Sequence, residues 1–206
     1  TDRYPRDSYI LTDKLSPNLF KTEADIRPYL ATMLEACGVE YFDFFLLHAL
    51  HAGNYEHYTS NRAFDLAGEF KAEGKVRHVG ISFHDTADVR DRILTEQPGI
   101  EVVQLQFNYL DYEDESVQGR LCYEVCRKHG KPVIVMEPVR GGKLAKLDET
   151  TEALMRQMRP EESTAAWAFR WLQTVPQPTV VLSGMTYMEH LQDNLKTYSP
   201  LVPLSE

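Results

Sequence analysis

The feature that most constrains this chain is an alternation of short apolar runs with longer amphipathic segments. Six runs have the length of β-strands, at residues 9–13, 41–47, 76–82, 101–107, 132–136 and 179–182. Segments with apolar residues at three- and four-residue steps predict helices at 23–38, 62–74, 87–96, 119–130, 150–158, 163–173 and 187–196. This alternation predicts repeated βαβ units and a parallel sheet, which is an α/β fold.

Two architectures are built from such units, an open doubly wound sheet and a (β/α)8 TIM barrel. The open sheet normally carries a glycine-rich phosphate loop after its first strand, and YILTDKLSPN has no glycine there. The barrel is therefore favoured, although about six βα units are found and a barrel needs eight. Because the first strand begins so early, we interpret residues 1–206 as a single barrel domain that is N-terminally incomplete.

Composition excludes several classes of partner. The net charge of −9 argues against nucleic acid, which binds clustered Lys and Arg. No apolar window is long enough to cross a membrane, and the charged N-terminus does not resemble a signal peptide. Three cysteines without further ligands at zinc spacing indicate a reducing, cytoplasmic location and no metal site.

Polar groups follow the predicted strands, where barrel enzymes carry their chemistry. Lys14 follows the first strand, and a partly desolvated lysine at such a place suits proton transfer or Schiff-base formation. His48 ends the apolar run DFFLLH. Ser183, Gly184 and Met185 precede a helix whose free N–H groups favour an anion. We expect a loop after His48 in which Tyr55, His57 and Tyr58 either line a substrate pocket or lie on the surface.

Six segments in order resemble the aldo-keto reductase family. They are ILTDKL, DFFLLH, EFKAEGKVRHVGIS, VVQLQFNY, MEPVRGGKL and VVLSGMTYMEHLQDNL. The resemblance implies NAD(P)H-dependent reduction of aldehydes or ketones, or the reverse oxidation, with a small carbonyl compound as substrate. In it, Lys14 lowers the pKa of an acid/base tyrosine, and His48 hydrogen-bonds the substrate carbonyl.

The resemblance also implies a set of cofactor-binding positions. Ser82 and Gln104 hold the nicotinamide amide; Met136 lies where many members stack an aromatic ring. The phosphates and adenosine are contacted by a larger group: Glu137, Val139, Arg140, Ser183, Gly184, Met185, His190, Asp193 and Asn194. The cofactor is NADP or NAD, and the choice stays open because His190 stands where NADPH-preferring members often carry Arg or Lys.

Two features depart from the family pattern. The family's catalytic aspartate and tyrosine precede the position of Lys14, and residues 1–13 do not supply them, so we expect this chain alone to be inactive. The segment from Phe107 to Gly142 looks most like bacterial members with a C-terminal iron–sulfur extension, but the chain ends without the four cysteines and no cluster is predicted. Two alternatives remain: a non-catalytic NAD(P)-binding module, and a Schiff-base lyase that uses Lys14.

Overall fold

The structure, a computed structural model, describes residues 3–176 and 178–205, and the side chains of residues 178 and 179 are not described. Its strands are β1 (Thr12–Leu15), β2 (Phe42–Leu50), β3 (Val76–Phe83), β4 (Val102–Gln106), β5 (Val133–Met136) and β6 (Pro178–Val181). They form one sheet in sequence order, and β1–β2, β2–β3 and β5–β6 pair in parallel. The predicted α/β fold of successive parallel βα units is confirmed.

Seven of the eight α-helices in the described residues lie where the periodicity predicts them. The helices are α1 (Glu23–Cys37), α2 (Ala52–Ser60), α3 (Ala63–Ala72), α4 (Ala87–Glu96), α5 (Gly119–Lys128), α6 (Glu149–Met158), α7 (Thr164–Leu172) and α8 (Met188–Tyr198). The chain forms two compact units. The first contains residues 1–104 and 121–132, and the second contains residues 105–120 and 133–206.

Strand β2 forms the centre of the first unit. It is paired on both edges, with β1 and with β3, and its Phe45, Leu46 and Leu47 are fully buried. Burial on both faces explains why this strand has a continuous apolar run rather than an alternating one. Each such side chain contributes about 1.5–3 kcal/mol of transfer free energy on burial.

The first two strands end later than the sequence predicts. We expected β1 at residues 9–13, but the buried carboxylate of Asp43 accepts the N–H of Leu11 at 2.9 Å, and the ladder begins at Thr12. Lys14 therefore lies inside β1 rather than after it. Strand β2 continues to Leu50 across a register shift, so His48 is also within a strand. Ala49, beside it, has a left-handed backbone with φ of 54°.

The prediction of a loop after His48 is wrong, because α2 occupies most of that segment. The His51 ring accepts the N–H of Gly53 at 3.1 Å, and the Asn54 side chain accepts the N–H of His51 at 3.0 Å. These two bonds cap the helix at its N-terminus. Tyr58 of α2 is completely buried, so neither the pocket reading nor the surface reading applies to it.

The second unit is organised around an aromatic cluster. The ring of Trp171 lies 5.5 Å from that of Phe107 and 5.1 Å from that of Tyr112. Edge-to-face and tilted contacts of this kind add roughly 0.5–1.5 kcal/mol per pair to the burial term. Arg170 is nearly buried beside the cluster, where its Nε donates to Glu162 at 2.7 Å. The cluster thereby holds α7 against the segment that follows β4.

Two classes of feature are absent from the described part of the chain. None of its helices combines the length with the apolar character that a bilayer crossing requires. No group of three or more His, Cys, Asp or Glu side chains there is arranged to hold a metal ion.

Candidate functional site

Lys14 and His48 lie on neighbouring parallel strands of the first unit. Lys14 is in register with Leu46, and alternation along β2 brings His48 to the same face as Leu46. The pKa of His48 is lowered first by burial and then by the positive charges of Lys14 and His84. The structure therefore brings the two predicted catalytic residues together at one rim.

Lys14 is half-buried at this rim. Burial lowers the pKa of its ammonium group, and among residues 3–176 and 178–205 no carboxylate forms an ion pair with it. The adjacent Asp13 has a pKa raised by burial, although a hydrogen bond from the backbone N–H of Lys14 acts in the opposite direction. Tyr29 donates to the Lys14 carbonyl at 2.8 Å and so fixes the strand that carries the amine.

Two residues contact His48: Ser16, which the sequence reasoning missed, and Tyr58, which it had placed either in a substrate pocket or on the surface. The Oγ of Ser16 lies 2.6 Å from Nδ1 of the His48 ring. The buried hydroxyl of Tyr58 is 2.7 Å from the His48 carbonyl and 2.9 Å from that of Leu15. The sequence did contain a signal for Ser16, because it stands two residues after Lys14, and its extended backbone just beyond β1 continues the alternation of faces.

Ser82 and Gln104, the predicted holders of the nicotinamide amide, are in the first unit, near the end of β3 and at the middle of β4. Ser82 is completely buried and Gln104 nearly so. Polar side chains at such depth are normally hydrogen-bonded, and both take part in interactions here.

The second unit contains a pocket of about 700 Å³. This volume lies within the range of roughly 300–1,000 Å³ typical of small-molecule sites. Eight of the predicted cofactor residues line it: Met136, Glu137, Val139, Ser183, Gly184, His190, Asp193 and Asn194. Met185 and Arg140 are not among its lining residues, and Met185 is exposed at 45%.

Arg140 makes an ion pair instead of facing the pocket. Its Nε lies 3.1 Å from a carboxylate oxygen of Asp111, which is fully buried. Asn108 also donates to Asp111, at 2.7 Å, and to the carbonyl of Glu137 at 2.9 Å. This network fixes the loop after β5, where Glu137 and Arg140 both have positive φ, at 57° and 47°. Strained backbone at such positions is typical of binding sites.

The opposite wall of the pocket is built by α8 and the turn before it. Asn194 donates to the Oγ of Ser183 at 2.9 Å, which joins the helix to the turn. Asp193 accepts from Ser163, the N-cap of α7, at 2.5 Å. A Cβ placed on Gly184 would meet nothing within 4 Å, so the turn leaves open space in the pocket.

This pocket has the volume of a small-molecule site, and part of its chemistry suits a phosphate. Tyr187 caps α8 without a side-chain hydrogen bond, so backbone N–H groups of the first turn are available to a phosphate. The side chains differ in charge from a phosphate site. Glu137, Glu189 and Asp193 are among the lining residues, and none of the lining residues that the structure describes is Lys or Arg.

Comparisons with known proteins give the family. The sequence matches the profile of the Aldo/keto reductase family over residues 1–206, and the chain belongs to that family. A curated relative, an uncharacterized oxidoreductase of Schizosaccharomyces pombe, is 25% identical over 173 residues, which are 83% of this chain. They are 52% of the relative, so the chain spans about half of its length.

Solved structures show the same fold. A thermostable aldo-keto reductase crystallised with the inhibitor epalrestat has a TM-score of 0.76 and 22% identity, covering 100% of this chain and 70% of that one. The holo form of an aldo-keto reductase from Bacillus halodurans has a TM-score of 0.75 and 20% identity, covering 97% and 69%. An aldo-keto reductase from Klebsiella pneumoniae in complex with NADPH has a TM-score of 0.71 and 21% identity, covering 97% and 67%.

Proposed function

We propose that this chain carries part of the machinery of an NAD(P)H-dependent oxidoreductase that reduces aldehydes or ketones to alcohols. The single observation that carries the proposal is the pocket of the second unit, which gathers eight residues predicted for the cofactor. The amine and imidazole at the rim of the first unit supply the complementary chemistry. The activity belongs to the whole protein, of which this chain includes Lys14 and His48.

The nicotinamide supplies hydride when it is bound, and the protein supplies orientation and electrostatics. In this proposal the N–H of His48 donates to the substrate carbonyl oxygen and positions it. The charge of Lys14 favours ionisation of a neighbouring acid/base group by lowering its pKa. The family's aspartate and tyrosine are the partners that Lys14 requires, and within the described residues it has no carboxylate partner.

The cofactor is NADP or NAD, and the charge of the pocket favours NAD. Glu137, Glu189 and Asp193 repel a 2′-phosphate, whereas a carboxylate accepts a hydrogen bond from a free ribose hydroxyl. We expect NADH to bind at least about tenfold more tightly than NADPH. In the variant Glu189→Lys we expect a smaller difference between the affinities for NADH and NADPH. Equal affinities for the two cofactors in the unmodified chain would contradict the charge argument.

Cofactor binding is the decisive experiment, because it requires only the residues described above. NADH is titrated into the full 206-residue chain, and its fluorescence is followed. Asn194→Leu removes the bond to Ser183 in the pocket wall, so we expect binding to weaken by about tenfold. Gln192→Leu, on the same helix but outside the pocket, is the matched control. Absence of binding by the unmodified chain contradicts the proposal.

A Schiff-base lyase is the second candidate, since Lys14 has a lowered pKa and no carboxylate ion pair among the described residues. Both properties favour the neutral amine that attacks a carbonyl. Borohydride reduction in the presence of a small aldehyde or ketone distinguishes the lyase from the reductase. The lyase gives stable labelling of Lys14 that Lys14→Met abolishes, and the reductase gives none. Cofactor binding without turnover by the whole protein would indicate a non-catalytic nucleotide-binding module.

The proposed location is the cytoplasm. None of Cys37, Cys122 and Cys126 forms a disulfide, and burial raises the pKa of the last two thiols. Buried thiols outside disulfides are typical of a reducing compartment. A small-molecule carbonyl compound is the proposed partner.

A further inference from the structure

His48 has one side-chain partner in the described part of the chain, and that partner is Ser16. The Oγ of Ser16 lies 2.6 Å from Nδ1 of the ring, which is a short hydrogen bond. Ser16 follows the last residue of β1, so the strand that carries Lys14 also places this hydroxyl. The other ring nitrogen, Nε2, has no hydrogen bond to any residue in 3–176 or 178–205.

The backbone geometry keeps these two groups together. A single hydroxyl, that of Tyr58, lies within hydrogen-bond distance of the carbonyls of Leu15 and His48. Leu15 directly precedes Ser16. The Tyr58 hydroxyl therefore anchors the backbone at His48 and the backbone next to Ser16. Tyr58 is completely buried, and its position is fixed by packing of α2.

The charges around the ring determine its protonation state. Burial lowers the pKa of His48, and electrostatic interactions with Lys14 and His84 add to burial in opposing an imidazolium. A neutral imidazole carries one N–H, on either Nδ1 or Nε2, and the hydrogen bond made by one nitrogen selects the tautomer. Ser16 is therefore in a position to decide which nitrogen of His48 is the donor.

We propose that Ser16 is a positioning residue that donates its hydroxyl proton to Nδ1 of His48 and so fixes the Nε2–H tautomer. The free Nε2–H then points away from β1 as the donor for a carbonyl oxygen. The use of that donor rests on the proposed function, whereas the tautomer itself does not. A bystander serine would leave the ring free to adopt either tautomer.

The test measures ¹⁵N chemical shifts of histidine-labelled full-length chain at pH 8, with the His48 signals assigned by their loss in His48→Gln. We expect Nε2–H in the unmodified chain. In Ser16→Ala the ratio of Nε2–H to Nδ1–H falls by about fivefold, the amount expected for one lost hydrogen bond. Ser16→Thr keeps the hydroxyl and restores the ratio, and Ser8→Ala, which alters a distant hydroxyl in the same unit, leaves it unchanged.

Two results overturn the proposal: an Nδ1–H tautomer in the unmodified chain, or an unchanged ratio in Ser16→Ala. Tyr58→Phe provides a second variant, because it removes the backbone bridge while keeping the ring. We expect it to broaden the His48 signals and to lower the ratio by less than Ser16→Ala does. No cofactor is needed in these measurements, so failure of the cofactor titration and failure of this proposal are separate outcomes.

Discussion

Gly80 lies in β3 at a position where the surrounding atoms leave no room for a side chain. A Cβ at this position would lie 2.5 Å from Cγ1 of Val102 and 2.7 Å from Cδ2 of Leu46. It would also lie 2.6 Å from a backbone oxygen, which cannot move as a side chain does. We predict that Gly80→Ala lowers the free energy of unfolding by about 1–3 kcal/mol through overpacking, as measured by urea denaturation.

Gly68 provides the matched control for this change. It lies within α3, and a Cβ there would meet nothing within 4 Å. Gly68→Ala should raise stability by about 0.5–1 kcal/mol, because alanine loses less backbone entropy in a helix. Equal effects of the two substitutions would show that steric contact at Gly80 is not the cause.

The titration of His48 gives a second prediction at the scale of single residues. Removing the charge in Lys14→Met should raise the pKa of His48 but leave it below 6.5, because burial is the larger cause of the shift. The measurement is an NMR pH titration, and Lys21→Met, an exposed lysine, is the control. No change in the His48 pKa would show that the two side chains do not share a rim.

The sign of the accompanying stability change follows from linkage. Below 6.5 the unfolded chain binds more protons at His48 than the folded chain does. Stability contributed at this site is therefore present above pH 6.5 and is lost as the pH falls through the folded pKa. Lys14→Met should make the loss smaller, since it brings the folded pKa closer to the unfolded one.

At the scale of elements, the end of β2 differs most from its sequence-based description. The register with β3 shifts between Leu47 and Leu50, and Ala49 takes up the irregularity with a φ of 54°. This left-handed backbone costs an L-residue roughly 1–2 kcal/mol and costs glycine little. We predict that Ala49→Gly raises the free energy of unfolding by about 0.5–1 kcal/mol, after its own entropy cost.

Thermal and urea denaturation check this prediction, with Ala67→Gly as the comparison. Ala67 is fully buried within α3, so the same exchange there should lower stability by about 1 kcal/mol or more. Loss of stability in both variants would mean that the bulge at Ala49 relaxes without cost.

Strands and most helices were predictable because the signal that defines them is local. The apolar run of β2 and the three- and four-residue spacing in α1 depend only on which face is buried. Helix α2 was missed because AGNYEHYTS has little apolar character, and it is stabilised by capping at His51 and by the burial of Tyr58. The capping contacts are local, but His51 is not one of the residues usually found at an N-cap, and the burial of Tyr58 depends on packing that the sequence does not display.

Only some residues of the candidate site were predictable from the sequence. Lys14 and His48 were found because their position beside apolar runs is a pattern of the sequence. Arg140 was expected to face a phosphate, and its ion pair with Asp111 depends on a burial that no local pattern reveals. Ser16 was missed although its spacing from Lys14 was visible, because a serine after a strand has many ordinary roles.

At the scale of the whole molecule, the positions of the tryptophans allow the unfolding of one unit to be followed by fluorescence. Both of its tryptophans, Trp167 and Trp171, belong to the second unit, which also contains the cofactor pocket. Intrinsic fluorescence therefore follows the unfolding of that unit, whereas circular dichroism follows helices throughout the chain. A ligand that binds only the folded pocket stabilises it by mass action.

We predict that NADH at 100 times its dissociation constant raises the fluorescence-detected free energy of unfolding by about 2.7 kcal/mol. In Asn194→Leu at the same concentration the increase should fall to about 1.4 kcal/mol, because a tenfold weaker affinity leaves NADH at about ten times its dissociation constant, and in Gln192→Leu it should persist in full. An increase that both variants retain in full would place the ligand outside the pocket. The size of the increase also tests where NADH binds. Any affinity of NADH for the unfolded chain would make the increase smaller than about 2.7 kcal/mol. A measured increase of about 2.7 kcal/mol therefore requires that NADH binds the folded pocket alone.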